Sequence, residues 1–113
     1  MSYKGNNVHI KELSSTIGDK RDIEDTLKIL ALLANPTRFK MAYLLSHGEL
    51  CNKDLERILD VEQTLISHYL KDFKNLNLTK ERRSGKWRYY SIEDGRIMDI
   101  LNLIKIKEIG KAV

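Results

Sequence analysis

The sequence predicts one mainly α-helical domain that carries a small β-hairpin. Three observations support this fold class. Apolar residues recur at spacings of three and four along most of the 113-residue chain, which is typical of amphipathic helices. Two short β-prone runs flank Ser84-Gly85, a dipeptide typical of a hairpin turn. The length allows one hydrophobic core and leaves no room for a second.

The composition is that of an ordinary globular protein. Hydrophobic residues make up 42% of the chain, so disorder throughout is not expected. No apolar run approaches the roughly 20 residues that a membrane span needs, and the first residues lack the apolar stretch of a signal peptide. The single cysteine, Cys51, excludes an intramolecular disulfide and fits a reducing compartment. We therefore expect a cytoplasmic location.

The N-terminal third predicts a short helix and then a longer one. Residues 1–18 are expected to form an extension, with a short helix, outside a main domain at 19–113. The apolar positions of this short helix are Val8, Ile10, Leu13 and Ile17. The segment Asp22–Leu33 has the spacing of a helix, and its acidic first turn suits the positive end of the helix dipole. The apolar positions here are Ile23, Leu27, Leu30 and Ala34.

Two further helices follow a break at Asn35-Pro36. Proline is tolerated at the first helical position, so it is expected to start a helix that Gly48 ends. Asn52 is suited to cap the next, short helix, because its side-chain oxygen accepts from a free backbone N–H group. The residues of this short helix expected to point inward are Leu55, Ile58 and Leu59.

A longer helix is predicted from about Glu62 to Leu76. Ile66, Leu70 and Phe73 fall on one stripe, which we expect to be buried. Asn77 stands at the left-handed position that often follows a helix, and asparagine tolerates that conformation second only to glycine.

The last third predicts a basic hairpin and a final helix. The hairpin pairs Thr79–Arg83 with Trp87–Ile92, and the helix runs from Glu93 to about Lys107. The cationic side chains between residues 79 and 91 are Lys80, Arg82, Arg83, Lys86 and Arg88, against Glu81 alone. Their excess equals the net charge of the whole chain, +4. This concentration is typical of a surface that binds a polyanion, although edge strands also carry Lys and Arg to block aggregation.

The order of these elements indicates a winged helix-turn-helix that binds DNA. A short helix, a tight turn and a longer helix with a polar outer face precede the basic hairpin. Reading base edges in the major groove requires side chains that donate and accept hydrogen bonds. The candidates for base contacts are Gln63, Thr64, Ser67 and His68. The candidates for contacts with the DNA backbone are Lys71, Lys74, Arg82, Arg83, Lys86 and Arg88.

The stretch from Leu27 to Ile92 resembles the ArsR/SmtB family of winged-helix repressors. The matching motifs are LKILALLANPTRFKMAYLL, GELCNKDLERIL, VEQTLISHYLKDFKNLNL and RRSGKWRYYSI. The resemblance implies a homodimer whose N- and C-terminal helices pack across a two-fold axis, with residues 63–74 as recognition helix and 82–88 as wing. It also implies that the four candidates for base contacts face bases. Asn77 departs from the glycine that is usual in the family.

The metal sites that the resemblance implies are not matched by this sequence. Soft-metal sensors of the family commonly present Cys-x-Cys after a Glu-Leu pair, whereas this chain has Cys51 and then Lys53. One thiolate cannot form a multi-sulfur site. The final helix offers Asp94, Asp99 and Glu108 but no histidine for the family's second kind of site. We therefore expect no metal and no cofactor.

The predicted function is that of a DNA-binding regulator, a repressor that binds an imperfect palindrome as a homodimer. A winged-helix module that binds a protein and no DNA is the alternative, which an apolar outer face on the recognition helix would favour. Cys51 either packs inertly or acts as a redox sensor by pairing with its copy in the other subunit. No Gly-rich phosphate loop or catalytic constellation is recognisable, so an enzyme is not expected.

Overall fold

A computed structural model describes residues 7–18 and 20–104 of the chain. Their contacts divide the chain between Ala31 and Leu32 into two compact units. The described elements are mainly helices, with one three-stranded antiparallel sheet, so the predicted fold class is confirmed. The helices are α1 (Asn7–Thr16), α2 (Lys20–Leu33), α3 (Pro36–His47), α4 (Asn52–Leu59), α5 (Gln63–Asn75) and α6 (Gly95–Ile104). The strands are β1 (Leu50–Cys51), β2 (Lys80–Ser84) and β3 (Trp87–Ser91).

The first unit contains α1 and most of α2. The short helix expected within residues 1–18 is present as α1, and its apolar side chains are exposed. In α2, Leu27 and Leu30 of the predicted apolar face are also exposed, whereas Ile29, Leu32 and Leu33 are buried. The second half of α2 is apolar on more than one side, so spacing alone does not select the buried stripe. The predicted domain boundary at residues 18/19 stays a prediction.

The second unit begins at the end of α2 and continues into α3. Asn35 caps α3, because its Oδ1 accepts a hydrogen bond of 3.0 Å from the backbone N–H of Arg38. Pro36 occupies the first turn, as predicted. Met41, Ala42 and Leu45 are buried, so this face of α3 contributes to the core of the unit.

The start of α4 lies one residue from its predicted position. The capping residue is Cys51, whose backbone N–H donates to Asp54 Oδ2 at 3.0 Å, and Asn52 is the first residue of the helix. The prediction of Asn52 as cap was therefore wrong. Cys51 occupies that position, and the Asp54 carboxylate accepts a hydrogen bond from its backbone N–H. Leu55 is fully buried, but Ile58 is 49% exposed and not inward as predicted. Ile58 follows Leu55 by about one turn and lies at the edge of the buried face of α4.

A left-handed residue stands on each side of α5. Asp60, with φ of 53°, makes the turn between α4 and α5, and Asn77, with φ of 56°, follows α5 as predicted. Ile66, Leu70 and Phe73 are buried, which confirms the predicted stripe.

The hairpin is shifted by one residue from its prediction. Ser84 pairs with Trp87, so the turn residues are Gly85 and Lys86, with Gly85 at φ of 59°, and not Ser84-Gly85. The two-residue strand β1 adds to the other edge of β3, with Leu50 opposite Tyr90. Strand β1 was not predicted from the sequence.

The final helix begins later than predicted. The carboxylate of Asp94 caps it, since Oδ1 accepts from the backbone N–H groups of Arg96 at 2.9 Å and Ile97 at 3.3 Å. Ile97 and Leu101 are buried. The predicted continuation to Lys107, with Ile106 and Glu108, lies outside the described residues. Among the described helices, none has the length and apolar character needed to span a bilayer.

Candidate nucleic-acid interface

The outer face of α5 is polar and open to solvent. All six of its predicted contact residues are exposed: Gln63, Thr64, Ser67, His68, Lys71 and Lys74. They stand on the sides of the helix that the buried stripe of Ile66, Leu70 and Phe73 leaves free. The core therefore fixes which side of α5 is presented to a ligand.

Ser67 is held by a residue from the preceding helix. The side-chain amide of Asn52 donates a hydrogen bond of 2.8 Å to Ser67 Oγ. Since the serine oxygen accepts this bond, its own proton remains available to an acceptor on a ligand. Asn52 was predicted only as a helix cap, and its contact with Ser67, which joins residues 15 positions apart, was not predicted.

The hairpin, or wing, carries exposed cationic side chains on both strands. Arg83, Lys86 and Arg88 are exposed, and all five residues of β2 face solvent. Lys86 Nζ lies 5.2 Å from the ring centre of Trp87. The aromatic ring limits the directions of the lysine chain while leaving its ammonium group open to solvent.

Arg82 is already engaged within the protein. Its Nε donates to Glu49 Oε2 at 2.7 Å, and its guanidinium carbon lies 4.8 Å from the ring centre of Tyr89. Both Arg82 and Glu49 have exposed side chains, so the carboxylate offsets part of the positive charge at the base of the wing.

Lys74 is also paired, because its Nζ lies 3.2 Å from Glu81 Oε1 on β2. This ion pair joins the end of α5 to the wing. Within residues 7–18 and 20–104, by contrast, no carboxylate forms an ion pair with Lys71, Arg83 or Arg88. These three side chains, and Lys86, which lies against the Trp87 ring, carry a charge that no carboxylate of the described interface compensates.

An open cleft of about 620 Å³ lies between α5 and the wing. Its lining includes the predicted contact residues Ser67, Lys71, Lys74 and Arg88, with amide side chains from Asn52 and Asn75. The structure therefore brings together part of the predicted site from the helix and part from the wing. Gln63, Thr64, His68, Arg82, Arg83 and Lys86 are not in this lining. They extend the candidate surface beyond the cleft.

The cysteine and the acidic groups offer little for a metal. In the described ranges, no group of three or more His, Cys, Asp or Glu side chains is arranged to hold a metal ion. Cys51 is a free thiol and only 8% exposed, at the start of α4. The expected lack of a metal and the redox alternative for Cys51 both stay predictions.

The helix pair α4–α5 and the basic wing define the chain as a winged helix-turn-helix protein. The family model for bacterial regulatory proteins of the arsR family matches residues 35–80. A cadmium resistance transcriptional regulatory protein CadC homolog of Staphylococcus aureus is 37% identical over 83 residues, which are 73% of this chain and 69% of the relative. The chain therefore belongs to the ArsR family, whose members are DNA-binding transcriptional regulators and not enzymes.

Solved structures share this fold. The transcriptional repressor PagR of Bacillus anthracis is 27% identical, with a TM-score of 0.67 over 77% of this chain and 100% of PagR. A homodimeric winged helix-turn-helix DNA-binding domain of Mycobacterium bovis is 23% identical. Its TM-score is also 0.67, over 78% of this chain and 84% of that domain.

Proposed function

We propose that this protein is a homodimeric repressor that binds an imperfect palindrome in double-stranded DNA. The observation that carries the proposal is the exposed polar face of α5 beside a cationic cleft and wing. Family membership supports DNA binding as such. The exposed side chains on α5 support the further step to reading a particular sequence.

The residues divide between two tasks. Gln63, Thr64, Ser67 and His68 read base edges in the major groove, where a glutamine amide pairs with adenine and hydroxyl groups pair with several bases. The backbone phosphates are contacted by Lys71, Lys74, Arg82, Arg83, Lys86 and Arg88. Because Lys71, Arg83, Lys86 and Arg88 have no ion pair in the described part of the chain, they supply most of the electrostatic attraction.

Exposed apolar side chains on the terminal helices support pairing of two copies. Leu13 of α1 is 54% exposed, Leu27 of α2 is 58% exposed, and Leu103 of α6 is 83% exposed. A second copy that packs on these helices removes such apolar side chains from water, as in interfaces between proteins. In a two-fold dimer, two recognition helices about 34–36 Å apart enter successive major grooves, which requires inverted half-sites.

We also propose that the regulator works without the metal sites that are common in the family. Cys51 is nearly buried, and the position two residues on is Lys53, whose ammonium group repels a cation. Repression then follows from occupancy of a promoter, which excludes the polymerase.

The test is selection of binding sequences from a random pool of 30-bp duplexes, followed by titration of the recovered duplex. We expect two inverted half-sites about one helical turn apart. With several phosphates contacted per subunit, affinity falls roughly 10³–10⁵-fold between 50 and 200 mM salt. No enrichment, or affinity insensitive to salt, contradicts DNA binding. A single half-site and a monomeric mass in sedimentation contradict the dimer.

Two kinds of variant separate the tasks of helix and wing. Ser67→Ala and His68→Ala are expected to lower discrimination between the recovered duplex and a scrambled one. Arg83→Ala is expected to weaken binding to both duplexes about equally. A change of base preference in Arg83→Ala means that the roles of helix and wing are assigned wrongly. A protein-interaction module, the alternative, is disfavoured by the polar outer face of α5.

A further inference from the structure

Arg38 on α3 connects three helices, because its side chain contacts both α2 and α5. Arg38 Nε, in the first turn of α3, donates to the backbone carbonyl of Leu32 in the last turn of α2 at 2.7 Å. Its Nη1 lies 3.4 Å from Asp72 Oδ2 on α5. Its guanidinium carbon lies 5.3 Å from the ring centre of Tyr69, also on α5. The Arg38 and Asp72 side chains are 22% and 28% exposed, so this pair is screened less than the pairs on the wing.

A second side chain of the same junction reaches the same part of α5. Asn35 Nδ2 lies 3.4 Å from the Tyr69 hydroxyl, while Asn35 Oδ1 caps α3 at the backbone N–H of Arg38. Asn35 and Arg38 thus hold Tyr69 and Asp72. The end of α2 and the start of α3 are connected to one flank of α5 through polar contacts.

These contacts act on the rotation of α5 about its own axis. At roughly 100° per residue, Tyr69 lies about 200° round the helix from Ser67, which Asn52 holds. Polar contacts therefore hold α5 on two sides, at Ser67 and at Tyr69, and Ile66 faces the core between them. A rotation of about 20° moves a side-chain tip about 2 Å at a radius of about 5–6 Å. Productive polar contacts tolerate only about 0.5 Å.

We infer that Arg38 is a positioning residue for sequence recognition. It does not touch DNA; it holds α5 at the rotation in which Thr64, Ser67 and His68 meet base edges. This inference rests on the proposed function, and it adds a residue that lies outside the interface. Phosphate contacts by long cationic side chains tolerate small rotations, so Arg38 affects discrimination more than overall affinity.

Arginine suits this position better than lysine. Its planar fork donates in two directions at once and stacks on an aromatic ring, so it reaches Leu32, Asp72 and Tyr69 together. A lysine ammonium keeps the charge but lacks the fork. We therefore expect Arg38→Lys to retain only part of the effect.

The experiment compares dissociation constants for the duplex recovered by selection and for a scrambled duplex of the same composition. Discrimination is the dissociation constant for the scrambled duplex divided by that for the selected duplex. Arg38→Gln is expected to lower this ratio by roughly fivefold or more, the size of one lost base contact. Affinity for the scrambled duplex should stay within about twofold, because phosphate contacts remain. The matched control is Lys40→Gln, which removes the same charge from an exposed position on α3 and should leave the ratio unchanged.

A thermal melt shows whether Arg38→Gln folds. If it does not fold, two milder variants test the same contacts. Tyr69→Phe removes only the Asn35 contact, and Asp72→Asn removes only the charge of the ion pair. Both should lower the ratio in the same direction, by less. An unchanged ratio in the folded variants, or an equal loss of affinity for both duplexes, overturns the inference about Arg38. The proposed function still stands in that case, provided that the wild-type protein discriminates between the duplexes. Lack of discrimination in the wild-type protein overturns the proposed function and this inference with it.

Discussion

The side-chain amide of Asn52 donates a hydrogen bond of 2.8 Å to the hydroxyl of Ser67. The bond links the first turn of α4 to the exposed side of α5. It also orients the serine, because an oxygen that accepts one bond presents its proton in a restricted set of directions. The two helices of the helix-turn-helix are thereby joined at a residue that the proposed function assigns to base contact.

Removal of the Asn52 amide should weaken sequence recognition through Ser67. We expect Asn52→Ala to cost about 0.5–1.5 kcal/mol in binding the selected duplex, the typical net value of one hydrogen bond. In a Ser67→Ala background the same change should have almost no further effect, because the two residues act as a unit. A double-mutant cycle on dissociation constants measures this. Additive losses in the cycle mean that Asn52 acts independently of Ser67.

Release of Arg82 from its partner should strengthen binding to every duplex. Glu49 accepts the Arg82 Nε–H at 2.7 Å and places a negative charge at the base of the wing. With Glu49→Gln we expect affinity to rise a few-fold for selected and scrambled duplexes alike. The slope of log K against log salt should steepen by up to about 0.9 as Arg82 takes a phosphate. Titrations at several salt concentrations check both, with Glu12→Gln on α1 as the control for charge alone. A gain confined to one duplex contradicts this role.

The helices of the second unit could be predicted because each has a local signal. Asn35-Pro36 marks the start of α3, and Asn77 marks the end of α5 through its left-handed backbone. Strand β1 has no such signal. Two residues are too few to show a period, and Leu50–Cys51 is a strand only because β3 lies beside it. The buried face of α2 was equally undetermined, because leucine and isoleucine occupy more than one of its sides.

The residue types of the candidate site could be predicted, but not their partners. Exposure of Ser67 and His68 follows from the buried stripe of α5, which the three- and four-residue spacing indicates. The pairing of Arg82 with Glu49 joins residues 33 positions apart, and that of Arg38 with Asp72 joins residues 34 apart. Such contacts depend on how helices and strands pack, so no local pattern announces them.

The tip of the wing should tolerate only residues that accept a left-handed backbone. Gly85 has φ of 59°, and a Cβ there meets nothing within 4 Å, so backbone conformation alone decides the cost. We expect Gly85→Val to destabilise the fold by about 1–2 kcal/mol, the typical penalty of that conformation for a side chain. Gly85→Asn should cost less, because asparagine adopts it readily. Urea unfolding measures both. Equal costs for the two variants contradict a backbone origin.

Asp94 connects the hairpin to α6 as the cap of that helix. The side-chain hydrogen bond from Arg96 is the main cause that holds the pKa of Asp94 below its ordinary value of 3.8. The backbone N–H of Ile97 acts in the same direction, and partial burial opposes them. The carboxylate form is therefore favoured in the folded state. Its contribution to stability is present above the unfolded pKa and is lost as the pH falls through the lower, folded pKa.

Substitution of Asp94 should therefore reveal a pH-dependent cap. At pH 7 we expect Asp94→Ala to lower the free energy of unfolding by about 1 kcal/mol, the usual value of a helix cap. Asp94→Asn should cost less than Asp94→Ala, because asparagine caps about as well as aspartate and loses only the charge of the pair with Arg96, whose side chain is 54% exposed. The gap between wild type and Asp94→Ala should hold from pH 7 to about 5 and shrink below about 4, where the unfolded carboxyl is protonated. Urea unfolding across this pH range, at one protein concentration, tests it, since a dimer's stability depends on concentration. A gap that widens with acid reverses the expected sign and excludes the carboxylate as the capping form.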